Sequence, residues 1–146
     1  MVELYAGGIP VQKVLGKWLD EVRQEGKFGA FIPFIGIVRA EKGIEGLSFD
    51  IYPPLLEKWF KKWEKLSEGK IFMAHSIGDV KIGETSFLAV VATSHRQEGF
   101  ALLKEFVENF KKEAPIWKYD LIEGKRYFLM ERASPLQNAG LLSRER

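Results

Sequence analysis

The chain of 146 residues has no cysteine, which excludes disulfides, thiolate metal sites and cysteine nucleophiles. Histidine is scarce too. His75 and His95 are the only two, too few imidazoles for a catalytic metal centre; no cofactor is expected either. A Gly-rich phosphate loop is missing, which argues against a generic nucleotide-binding domain. No long uncharged apolar run predicts a membrane span, and Met1-Val2-Glu3 begins no secretory signal, so the cytoplasm is the expected location. Charge of one sign is lacking as well. With 22 Lys and Arg against 20 Asp and Glu the net charge is only +2, and a pI near 8.8 is then no nucleic-acid footprint.

Apolar mass, by contrast, is plentiful. Hydrophobic residues make up 46% of the chain, with 11 Phe and 4 Trp, enough for one packed core. A single domain over residues 1–146 is the simplest organisation.

Val2 to Tyr5 reads as a strand. Pro10 suits the first turn of a helix that puts Val11, Val14, Leu15, Trp18, Leu19 and Val22 on one face and stops at Gly26. Gly29 to Arg39 is apolar and strand-like, and Pro33 within it suits an edge position or a bulge. Leu47, Phe49 and Ile51 alternate with Ser48 and Asp50 as in a half-buried strand, after a hairpin at Glu41-Lys42-Gly43. Behind Pro53-Pro54 a second helix carries Leu55, Leu56, Trp59, Phe60, Trp63 and Leu66, with Lys58, Lys61, Lys62 and Lys65 outward. Lys70 to Ile77 and Thr85 to Thr93 read as strands, the second central. Gln97 to Lys112 forms a third helix with Phe100, Leu103, Val107 and Phe110 at core spacing. Ile116 to Ile122 and Arg126 to Met130 pair through Glu123-Gly124. The tail from Ala133 has little periodicity and is expected to order only against a partner. The prediction is an α+β domain, mainly antiparallel, with three helices.

Two groups of cations stand out. Ser94-His95-Arg96-Gln97 fits a capping box. It sets His95 and Arg96 in a first helical turn, where the dipole favours acids. A bound anion on free backbone donors explains them; so does an Arg96–Glu98 pair with a packed His95. Arg39 closes the apolar Phe34–Val38 stretch, where it either offers a planar fork to a phosphate or carboxylate or simply ends a strand in water. Lys111 suits the last turn of the third helix, with Glu108 three residues earlier. A reversal at Ala114-Pro115 would bring Lys118 back towards it. Two ammonium groups in one pocket depress each other's pKa, and a lysine so tuned serves as acid, base or nucleophile near neutral pH.

The chain resembles the large, catalytic subunit of molybdopterin synthase. The likeness runs from about Gly29 to Tyr127. It is carried by Gly29-Ala30, Phe34-Ile35-Gly36-Ile37-Val38-Arg39, His75-Ser76-Ile77-Gly78, Gly83-Glu84, Ser94-His95-Arg96 and Ala114-Pro115-Ile116-Trp117-Lys118. Each stretch is short; their order and spacing together are specific. The resemblance implies an α/β-hammerhead-like fold and a sulfurtransferase of molybdenum cofactor biosynthesis. Its substrate would be cyclic pyranopterin monophosphate, converted to the dithiolene-bearing molybdopterin. Sulfur would come from the thiocarboxylated C-terminal glycine of a small ubiquitin-like subunit, which fits a chain without cysteine. A dimer of large subunits, each with one small subunit, is implied as well.

By position, Lys111 and Lys118 become the catalytic pair, and Arg39, His95 and Arg96 bind the pterin phosphate or the carrier tail. Phe34, Val38, Tyr119 and Asp120 are carried over as pocket residues, and Arg132 as a basic residue contributed across the dimer. Two departures bear on this. Ser76 stands where many members have Arg, and the loop after Arg39 is short. His75 and Glu84 read as structural, a strand-end histidine and a turn acid, and Gly78 and Gly83 as turn glycines. The competing reading is a non-catalytic module that docks the carrier tail. Docking alone would not require both lysines.

Overall fold

A computed structural model describes residues 1–41 and 43–128. The elements follow in the order β1 (Val2–Ala6), α1 (Val11–Glu25), β2 (Ala30–Ile37), β3 (Gly46–Ile51), α2 (Pro53–Leu66), β4 (Lys70–Lys81), β5 (Thr85–Thr93), α3 (Arg96–Glu113), β6 (Ile116–Ile122) and β7 (Lys125–Tyr127). The expected α+β class holds. The sheet runs β2-β5-β4-β3-β6-β7, all antiparallel, with β1 added parallel to β4.

Strand β4 organises the sheet. Lys70–His75 pairs with β5 and Met73–Ile77 with β1, and then Gly78–Lys81 passes to β3. The change of partner occurs at Gly78, whose φ of 82° lies in the left-handed region that favours glycine. Gly78 is therefore a bend within a strand, not the turn glycine expected; Gly83, at φ 89°, does occupy the β4–β5 turn.

Alternate residues of β4 and β5 feed two cores. Phe72, Ala74, Leu88, Val90 and Ala92 pack with Val14, Trp18 and Val22 of α1. Ile71, Met73, Phe87, Ala89 and Val91 pack with Leu56, Trp59 and Phe60 of α2 and with Phe106 and Phe110 of α3. A strand covered on both faces needs no polar alternation, which is why β5 reads as one apolar run. Asn109 joins the two helices on the second face. Its Oδ1 accepts from Trp59 Nε1 at 3.1 Å and Trp63 Nε1 at 3.0 Å.

Several expectations shift. Phe100 is 59% exposed, and α3 instead buries Gly99, Phe106 and Phe110. The helix is rotated because Gly99 lies against β2: a Cβ there would sit 2.7 Å from Ile32 Cδ1. Leu55 and Leu66, near the two ends of α2, are exposed. Strand β3 turns Leu47, Phe49 and Ile51 to the core and leaves Asp50 exposed, as its alternation predicts; Ser48, 1% exposed, is the exception, its Oγ accepting from Arg126 Nε. Pro33 does lie on an edge strand, β2, which also carries a register shift at Gly36/Ile37. The β6–β7 turn places Glu123 and Gly124 at positive φ of 51° and 73°, as a two-residue hairpin requires. Met130 and the tail from Ala133 lie outside the described residues.

Candidate active site

Helix α3 ends where Pro115 cannot continue it. Ala114 caps it in extended conformation (φ −64°, ψ 133°), its N–H donating to Phe110 O at 3.1 Å. The chain then enters β6. The reversal leaves Lys111 in the last helical turn and Lys118 on the strand, both lining one cavity of about 440 Å³. Lys118 lies directly opposite Phe49 in the β3–β6 ladder, so the two side chains share a face.

Phe34, Val38 and Arg39 line the same cavity. Val38 is fixed from both sides: its N–H donates to Glu84 O at 2.9 Å and its carbonyl accepts from Gly83 N at 2.7 Å. The turn at Gly83-Glu84 thus holds the strand end that presents Arg39. The Arg39 side chain is 77% exposed, its Nη2 3.3 Å from Glu41 Oε2. Lys111, Lys118, Phe34, Val38 and Arg39 are thus brought to one cavity by two turns, at Pro115 and at Gly83.

His75 belongs to this cavity too. It is not at a strand end but within β4, 1% exposed. Its ring meets Phe49 edge-on at 4.8 Å, with Phe110 at 5.6 Å and Phe87 at 6.0 Å. Burial pushes its pKa down to about 4; the hydrogen bond to Ser76 O (2.8 Å from Nδ1) opposes the shift, and the charge of Lys118 adds to it. The imidazole is neutral near pH 7, and since a carbonyl only accepts, Nδ1 carries the proton. The period of the strand was the missed signal. His75 shares its phase with Ile71 and Met73, which face the core of α2 and α3.

Other predicted residues stand apart. His95 is the N-cap of α3 and Arg96 its first residue, roughly 22 Å from Lys111 at 1.5 Å per residue. Ser94 is not the cap. No side chain caps this helix, and His95 Nδ1 lies 3.5 Å from Glu98 Oε1. Tyr119 faces away from the cavity. It lies under the Arg126 guanidinium at 4.1 Å, and Arg126 also holds Asp50 (2.8 and 3.2 Å) and Ser48 Oγ (3.0 Å). Asp120 alternates back to the face of Lys118 and is 4% exposed, but it is not part of the cavity lining. Arg132 lies outside the described residues. Ser76 is not part of the cavity lining, and its hydroxyl is shared between Gly7 O and Thr85 O.

Cations on an apolar wall suit an anionic ligand with an apolar body. Among the described residues there is no cluster of three or more His, Asp or Glu that could hold a metal. None of the described helices is long and apolar enough to cross a membrane.

The family described as MoaE protein matches residues 12–113. The chain belongs to the MoaE family. The molybdopterin synthase catalytic subunit of Helicobacter pylori (strain ATCC 700392 / 26695) is 45% identical over 146 residues, covering 98% of this chain and 100% of the relative. That of Pyrococcus abyssi is 31% identical over 119 residues, covering 71% and 80%. Among solved structures, a complex of subunits 1 and 2 of the molybdopterin-converting factor from Helicobacter pylori 26695 aligns with a TM-score of 0.85 at 44% identity, over 93% of this chain and 94% of that one. Molybdopterin synthase from Staphylococcus aureus aligns with a TM-score of 0.70 at 25% identity, over 87% and 95%. The MoaE match takes in Arg39, His75 and Lys111 and stops at residue 113. Lys118 falls beyond it, within the near-complete alignment to the Helicobacter subunit.

Proposed function

We infer that this chain is the catalytic subunit of a molybdopterin synthase, a sulfurtransferase acting on cyclic pyranopterin monophosphate. The observation that carries the reading is the meeting of Lys111 and Lys118, from two different elements, in one cavity presented with Arg39. The sulfur donor is the thiocarboxylated C-terminus of a small ubiquitin-like subunit, and the solved Helicobacter complex of two subunits supports such a partner. The reading includes work in the cytoplasm, as a homodimer of catalytic subunits with one small subunit each.

Both reactants are anions, and positive charge is what the chemistry requires. The donor sulfur forms a bond to a side-chain carbon of the pterin as a carbon–oxygen bond at that carbon breaks, the oxygen leaving with a proton from the site. A second carrier repeats the transfer at the neighbouring carbon. Water then cleaves the acyl–sulfur bond, leaving sulfur on the pterin and returning the carrier C-terminus as a carboxylate. Negative charge grows on the acyl oxygen in that step, where a fixed ammonium is worth most. One lysine holds the acyl group and the other moves the proton; Arg39 takes the phosphate or the tail carboxylate. His95 and Arg96 are too far along α3 to serve the cavity of their own chain. In a homodimer they would serve the cavity of the second copy.

The test is a single-turnover reaction with the cyclic pterin and thiocarboxylated small subunit, read by mass spectrometry. The dithiolene product is expected, and neither Lys111→Ala nor Lys118→Ala should form it. A stable carrier complex without product in the wild type would favour the docking module instead.

A further inference from the structure

We propose that His75 is a positioning residue for Lys118: its unprotonated Nε2 accepts a hydrogen bond from the ammonium group and holds it over the cavity floor. The inference rests on the reading of Lys118 as one of the catalytic pair, which itself makes no use of His75.

The imidazole sits in an aromatic cage of Phe49, Phe87 and Phe110, a site a phenylalanine would fill without a polar atom to satisfy. Its Nδ1–H is committed to Ser76 O at 2.8 Å, which leaves Nε2 a bare acceptor. A buried acceptor in such a cage calls for a donor. Among the described residues, Lys118 is the cation whose charge reaches the ring. It stands across the ladder from Phe49, the residue whose ring meets the imidazole edge-on, and lines the same cavity.

The choice of a neutral acceptor has a chemical reason. A carboxylate in place of His75, added to that of Asp120 on the same face, would take further positive charge from the cavity and repel anionic reactants. A neutral imidazole orients the ammonium and leaves the cavity positive. Among the described residues, the charged groups that share the cavity or strand face of Lys118 are Lys111 from α3, Arg39 and Glu41 from the segment after β2, and Asp120 on its own strand; β3 and β5 contribute the apolar Phe49 and Phe87. Their field is common to every His75 variant, so differences between variants isolate the imidazole.

Two substitutions separate the two nitrogens. His75→Asn keeps an amide N–H near Nδ1 for Ser76 O but puts nothing at Nε2. His75→Gln carries an amide oxygen out to the Nε2 position. Lys118 is titrated by NMR in the resting protein, its signal assigned by loss in Lys118→Ala. His75→Asn should lower the Lys118 pKa by about one unit and the single-turnover rate at neutral pH by about tenfold with KM unchanged. His75→Gln should restore most of both. Equal behaviour of the two variants, or a Lys118 titration that neither moves, overturns the proposal. Should both variants fail to fold, the wild-type fold still decides: Lys118→Ala should shift the His75 Nε2 nitrogen resonance, and an unmoved resonance rejects the contact. None of these titrations needs turnover. A wild type without product would sink the catalytic reading alone and leave the lysine–imidazole contact to be judged by NMR.

Discussion

Phe110 and Phe87 stack face to face, their centroids 4.0 Å apart and their planes 5° from parallel. The pair ties the last turn of α3 to β5 and so fixes where Lys111 begins. It also forms part of the cavity wall around His75. Stability and site geometry meet in these two rings.

Phe110→Ala should cost about 3–5 kcal/mol, the usual range for emptying a fully packed aromatic position. Phe110 is 2% exposed and touches Trp59, His75 and Phe87, so little of the cavity can collapse. Urea denaturation measures the loss. A cost below about 1 kcal/mol would mean that α3 is anchored elsewhere.

Lys118→Ala should slow single-turnover product formation by at least about 100-fold, the scale set by removing one fixed donor from a developing oxyanion. Its fold and carrier binding should be kept. Arg39→Ala should weaken pterin binding about tenfold and leave the chemical step nearly unchanged, because an exposed guanidinium contributes to binding more than to reaction. Unchanged pterin affinity in the second variant removes Arg39 from the site.

The parts of this site that were legible share a cause. Lys111, Pro115 and Lys118 lie close together in the chain, and a proline that ends a helix leaves few ways for the next strand to run. Phe34, Val38 and Arg39 form one segment and move together. What escaped was set by alternation and by distance. Tyr119 follows Lys118, but one step along a strand turns a side chain to the other face, where Arg126 claims it. Phe100 has helical spacing with Leu103 and Phe110, yet Gly99 rotates the helix so that Phe106 is buried instead. His95 and Arg96 form a neat local pattern that carries no information about the opposite end of their helix.

Asn109 accepts from two indole N–H groups at once. Asn109→Leu removes one acceptor and strands two donors in the α2–α3 contact, at a cost of about 2–4 kcal/mol. The same substitution in a Trp59→Phe, Trp63→Phe background should cost much less, since no donor is then left unmatched. A thermal double-mutant cycle that shows simple additivity would contradict the shared-acceptor arrangement.

The buried imidazole predicts an acid-sensitive fold. His75 has a folded pKa of about 4 against an ordinary value of 6.5. Between those values the unfolded chain takes up a proton that the native state refuses, so stability falls as pH drops through that window and is unaffected above it. The full loss is of the order of 3 kcal/mol. Denaturation of the wild type and His75→Gln at pH 7 and pH 4 should show the stability difference moving by that order in favour of the variant at low pH. Parallel losses in both proteins would show that His75 already titrates normally.

The length of α3 makes a prediction about the dimer. His95 and Arg96 begin the helix and Lys111 ends it, so one chain cannot bring both groups to one small substrate. If each cavity takes Lys118 from one copy and Arg96 from the other, Lys118→Ala and Arg96→Ala should complement each other. In a dimer of one copy of each, one cavity carries both defects and the other carries none. Homodimers of either variant are inactive at both cavities. Co-refolding equal amounts makes about half of the dimers mixed, and about a quarter of wild-type single-turnover product should return. A mixture no better than the two variants alone would mean that Arg96 acts on its own chain or has no part in the reaction. Separate assay of each homodimer distinguishes these, because an Arg96→Ala homodimer with full activity removes the residue from the site altogether.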